Sequence, residues 1–286
     1  DLSTAISQMG ATGHSPASSA LAFGGSNPGG LANTEEWVGS GAAIRAWSTG
    51  NAMNTGRRYL GRSGTQTSAL AFGGDADGTN GVANTEQYNG TNWTEVNDTN
   101  TARRNAAASG SSTSSLYYGG DTPNFAITEL WNGTNWTEVN DLNSARRGLG
   151  GSGVDNTAAL AFGGTTPGAD YNALTEEYNG TNWTEVADLA TARTVLGGAG
   201  AASTSSLAFG GNISPGFSAS TEEWTGAGAP VGAWSTANAL NTSRSFLAGA
   251  GTQTAALAFG GYIASPSAVT ELYDGTNWQE VHDLNT

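Results

Sequence analysis

Arginine and glutamate are placed with unusual regularity along this chain of 286 residues, and ion pairing is the first chemistry they could do. Arg57, Arg103, Arg146, Arg193 and Arg244 occupy equivalent positions, with Ile6 at the sixth. Glu35, Glu86, Glu129, Glu176, Glu222 and Glu271 form a parallel series, each in a Thr-Glu-x-aromatic motif. A guanidinium fork fits a carboxylate, and a pair repeated in every unit is what packing symmetry demands, so these predict structural ion pairs. A second arginine follows the first in only three units, as Arg58, Arg104 and Arg147, where Thr194 and Ser245 stand elsewhere. The repeat does not require these three, which makes them candidates for holding a ligand or partner at a channel mouth. Isolated aromatics in segments of variable length, Phe125, Tyr171, Phe217 and Tyr262, are candidates for stacking on a sugar or packing on a protein.

Other chemistry finds less support. The chain has no Cys, which excludes thiolate metal sites, cysteine nucleophiles and disulfides, and two His, His14 and His282, are too few for a histidine-built metal centre unless both lie in it. Asp75-Ala-Asp77-Gly-Thr79, with Glu86 eleven residues beyond the first Asp, has the outline of a calcium loop. Asn80 stands where such a loop needs Gly, however, and no helix flanks it. Gly148 to Gly153 matches a dinucleotide fingerprint literally but leads into an apolar strand pattern, without the helix that would cradle a phosphate. No pair of carboxylates stands outside the repeat as a glycosidase pair would. No catalytic residue, cofactor or metal is therefore assigned. All ten basic residues are Arg, against 24 acids, and the net charge of -14 argues against nucleic acid and anionic lipid as partners. No apolar run approaches the ~18 residues of a membrane span.

The elements that position these residues follow from a repeat. An aromatic-Gly-Gly triplet begins at Phe23, Phe72, Tyr118, Phe162, Phe209 and Phe259, with spacings of 49, 46, 44, 47 and 50 residues. Wrapping from the last triplet to the first again gives 50, as a closed ring requires. Each unit holds a Gly/Ala-rich stretch, an apolar run ending in Gly-Gly, a variable loop, Thr-Glu-x-aromatic, a turn such as Asn179-Gly180, and a Trp-led segment. Segments of 4–7 residues bounded by Gly and Asn read as strands, and Asn-Gly as a hairpin turn. Six four-stranded antiparallel units of about 47 residues predict an all-β, six-bladed β-propeller. The blades run approximately over 1–53, 54–99, 100–142, 143–189, 190–240 and 241–286. The Gly-rich first strand should lie innermost and the Trp-bearing fourth outermost. Asp1-Leu2-Ser3-Thr4 and Asp283-Leu284-Asn285-Thr286 occupy the same repeat position, so the ring should close without exchanging a strand between its ends. Units one and five carry a five-residue insertion, Trp37 to Trp47 and Trp224 to Trp234 each spanning ten residues where Tyr88 to Trp93 spans five.

The order apolar run–Gly-Gly, Glu-x-aromatic, Asn-x-Trp, Arg resembles the kelch repeat and covers all six units. The wording of Gly251 to Gly261 and of Asn132 to Val139 is similar to kelch-like repeats in virion proteins of marine bacteriophages and in secreted bacterial proteins. The resemblance implies that loops after the second strand share a face with the turns preceding the first. Those turns carry Arg104 and Arg147. It also implies a non-enzymatic structural or adhesive module, extracellular or on a virion, contacting a protein partner or a cell-surface glycan. A carbohydrate-binding lectin is the alternative and a glycan hydrolase the remote one. The copper oxidases of this class use a Cys–Tyr crosslink, which a chain without Cys cannot form.

Overall fold

The computed structural model describes residues 5–12, 18–38, 46–121, 123, 125–226 and 232–281. His14, His282, the two end segments and most of both insertions lie outside them. The chain forms six antiparallel sheets of four strands, a six-bladed propeller, with no helix among the described residues and hence none able to cross a membrane. Blade four shows the pattern, with Gly150–Asp155, Ala158–Phe162, Thr175–Tyr178 and Trp183–Val186 paired in chain order. The first strands of successive blades are neighbours all the way round the axis, and blade six touches blade one. Gly10–Ala11 pairs with Phe23 and Ala22 within blade one, and blade six takes Trp278–Glu280 as its own fourth strand. Among the described residues, no strand crosses the seam between those two sheets.

The repeated residues explain the local structure. In the Asn-Gly-Thr-Asn turns, the Oδ1 of Asn89, Asn132 and Asn179 accepts the N–H groups two and three residues on at 2.9–3.0 Å. The following Gly sits near φ 90°. These are Asx turns, and they account for the Asn-x-Thr sequence without glycosylation. The Gly-Gly pair is needed for a different reason. Its second member has φ between 98° and 115°, and its N–H donates to the carbonyl of Arg57, Arg103, Arg146, Arg193, Arg244 or Ile6 at 2.7–3.2 Å. A Cβ would collide with main chain at that approach.

Blades are held together by two repeated contacts. The ring at the Gly-Gly triplet packs on the Trp that opens the fourth strand of the next blade: Phe23–Trp93, Phe72–Trp136, Tyr118–Trp183, Phe162–Trp234, Phe209–Trp278 and Phe259–Trp47, all at 4.8–5.1 Å. Each tilted or edge pair contributes about 0.5–1.5 kcal/mol beyond its area. The indole N–H of Trp93, Trp136, Trp183, Trp234 and Trp278 also donates to a Thr hydroxyl of the preceding blade at 2.9–3.2 Å.

The second contact is the Arg–Glu pair. Arg57 is tied by its main chain to Leu31 and Gly25 of blade one, while its guanidinium reaches Gly73 O, Asn84 O and Glu86 of blade two. Arg103–Glu129, Arg146–Glu176, Arg193–Glu222 and Arg244–Glu271 repeat the ion pair, and all five lie at 2.8–3.0 Å with guanidinium groups fully buried. Desolvation pulls Arg57, Arg146 and Arg193 below the ordinary arginine value, and the paired glutamate opposes that. The seam between blades six and one lacks the pair, because Ile6 replaces Arg. Glu35 is buried there with Oε2 unbonded, and burial pushes its carboxyl up to about 8.

Candidate binding site at the channel mouth

Each connection into a blade's first strand ends in a left-handed residue: Gln8 (φ 62°), Tyr59 (55°), Asn105 (55°), Gly148 (60°), Val195 (50°) and Phe246 (52°). Their main chains form a closed circle. Gln8 N donates to Phe246 O, Phe246 N to Val195 O, Val195 N to Gly148 O, Gly148 N to Asn105 O, Asn105 N to Tyr59 O and Tyr59 N to Gln8 O, at 2.7–3.1 Å. The circle rims an opening of about 80 Å³ at one end of the axial channel. Below the rim stand Met9, Leu60, Leu149, Leu196 and Leu247, an apolar throat. A left-handed backbone is unfavourable for a β-branched or bulky side chain, by about 1–3 kcal/mol each, so Val195, Tyr59 and Phe246 are held there by the surrounding frame.

Sequence reasoning did not single out these six residues. The signal was present: the position two beyond the recurring Arg differs in every unit, while the next is Leu in four of them. It is the variation inside a constant frame that marks the site.

The rim has an aromatic side and a charged side. The rings of Tyr59 and Phe246 meet edge-on at 5.9 Å, and the Arg58 guanidinium lies 5.4 Å from the Tyr59 ring centre. Arg58, Asp75, Arg104, Asp121 and Arg147 then form an alternating chain of ion pairs over blades two to four, at 2.6–3.4 Å. Beyond Arg147 the rim is polar, where Thr165 Oγ1 donates to Thr194 Oγ1 at 3.1 Å.

The candidates from sequence are placed as follows. Arg58, Arg104 and Arg147 are bridged through their main chains to Asp75, Asp121 and Thr165, the residues directly after Gly-Gly. The two loop classes therefore share one face. The three arginines are not equivalent: Arg58 and Arg104 are locked by aspartates, with side chains 23% and 19% exposed, whereas Arg147 is 49% exposed. Phe125, Tyr171, Phe217 and Tyr262 are each half-buried. Phe217 and Tyr262 pack on each other at 5.9 Å across blades five and six, while Phe125 and Tyr171 make no ring contact among the described residues. Of the four, only Phe217 and Tyr262 are brought together among the described residues. The calcium-loop acids are committed elsewhere. Asp75 holds Arg58, Arg104 and the Gly78 N–H, Asp77 accepts from Thr79 and Asn80, and Glu86 holds Arg57. Gly148 to Gly153 runs into the strand Gly150–Asp155.

No protein-family model matches the sequence, and neither does any curated protein. Many solved structures share the architecture. Among them the structure of YjhT superposes with a TM-score of 0.74 over 98% of both chains, at 11% identity. At that identity the likeness is one of fold.

Proposed function

We propose that this propeller is a non-enzymatic structural or adhesive module of a virion or secreted protein, which contacts a protein or glycan through the channel-mouth face. The observation that carries the reading is the rim. The rim residue differs in every blade, five side chains and one glycine, on a backbone circle that is the same in every blade and is maintained against left-handed strain. Side chains varied freely on a fixed frame suit recognition. A lectin is the second reading, favoured by the Phe217–Tyr262 ledge, since paired rings beside an opening suit a sugar face.

A glycan array probed with the whole chain tests both readings. Binding that falls at least tenfold in a Tyr59→Ser/Phe246→Ser variant places the contact at the rim. A comparable loss only in Phe217→Ala/Tyr262→Ala selects the lectin ledge. Binding that survives both double substitutions overturns the assignment of this face.

A further inference from the structure

Arg62 stands apart from the other described arginines. Five are paired with blade glutamates and three with Asp75 or Asp121, but the side chain of Arg62 makes no hydrogen bond or ion pair with any described residue. It lies on the inner strand Gly61–Thr65, opposite Ala71, and its side chain lines both the axial channel and the floor of the mouth. The same register position in the other blades holds Ala11, Ala108, Gly151, Gly198 and Gly249. On blades five and six there is no room for more, since a Cβ on Gly249 or Gly198 would press on the neighbouring inner strand. The repeat therefore asks for a small residue, and one blade has a cation instead. Desolvation in the narrow channel lowers its guanidinium to about 10, which still leaves it charged at neutral pH.

We propose that Arg62 makes the channel a site for a small organic carboxylate that enters through the mouth. A guanidinium partly desolvated by the channel wall and without a carboxylate partner favours an anion beside it, and its planar fork matches a carboxylate with two parallel hydrogen bonds. The leucine throat above it rejects strongly hydrated inorganic anions and accepts an apolar body behind the carboxylate. The cavity beside Arg62 has a volume of about 80 Å³, which admits only a small body behind the carboxylate. This rests on the mouth face being the binding face only in that the ligand enters there.

The test is thermal unfolding and calorimetric titration of the whole chain with benzoate, with benzamide, benzylammonium and sulfate as controls. Benzoate should raise the melting temperature in proportion to log concentration at high loading, and the three controls should not. Arg62→Ala restores the small residue of the other blades, so it should fold, and it should weaken benzoate at least tenfold. Arg62→Lys keeps the charge without the fork and should retain part of the affinity. A shift from sulfate equal to that from benzoate, a benzoate response unchanged in Arg62→Ala, or no response in the native chain each overturns the proposal. If Arg62→Ala does not fold, a benzoate response in Arg62→Lys equal to that of native protein does so too. Loss of array binding with the benzoate response intact would sink only the adhesive reading.

Discussion

A single missing guanidinium shows how the ion pairs work. Glu35 is the same residue, in the same motif, as five glutamates that hold an arginine, and it differs only in having Ile6 where they have Arg. With its carboxyl raised from 4.5 to about 8, it stays protonated when folded and loses its proton when unfolded over that interval. The folded state binds more protons there, so this group's contribution to stability is complete below about pH 4.5 and is lost as pH rises to about 8. Glu35→Gln should therefore gain stability relative to the native chain as pH increases through that window, measured by denaturant unfolding at several pH values. A constant difference would refute the assignment. Ile6→Arg supplies the absent partner and should stabilise by about 1–2 kcal/mol at pH 8, with a smaller gain at pH 5, where the carboxyl is already neutral. The converse change, Arg146→Met, leaves Glu176 buried and uncompensated and should cost about 3–5 kcal/mol at neutral pH.

At the scale of elements, the connections between blades carry both the strain and the variation. Val195→Gly removes a β-branched side chain from a left-handed position that blade four already fills with Gly148, and should stabilise by about 1 kcal/mol. A melting temperature that falls instead would mean that Val195 packing outweighs the backbone cost. The sequence made the strands, the turns and the Arg–Glu series legible, because each depends on short-range rules or on a contact repeated blade after blade. It did not make the mouth legible. Tyr59, Asn105, Val195 and Phe246 belong to no motif, and their convergence exists only once six connections are wrapped round one axis. Phe125, Tyr171, Phe217 and Tyr262 drew notice as rings in variable loops, but a loop's composition does not say where it folds. Arg62 was hidden in a Gly-rich strand, where its oddity appears only against the register of the other five blades.

For the whole molecule, the seam between blades six and one should be the first to open. It has the aromatic contact Trp47–Phe259 and the main-chain link from Gln8 to Phe246, but no Arg–Glu pair, and its inner strand in blade one, Gly10–Ala11, is the shortest of the six. Hydrogen exchange should find the amides of Gln8 and Gly10 less protected than those of Asn105 and Gly150, their counterparts in register on other blades. Uniform protection round the ring would show that the pair adds nothing to closure.

The backbone circle at the mouth has one more consequence. Each of its six residues gives its N–H to one neighbour and takes one from the other, so the loop of dipoles has no beginning and no end, and no main-chain N–H in it is left to greet a visitor. What sets one hour of the opening apart from the next is then spelled by the residue there, one letter per blade: Gln, Tyr, Asn, Gly, Val, Phe. A six-letter word on a clock face can be rewritten at any hour without moving the hands. Copying a blade would carry its letter along, and changing a letter would leave the frame as it was. Such a mouth can change its vocabulary far faster than its grammar.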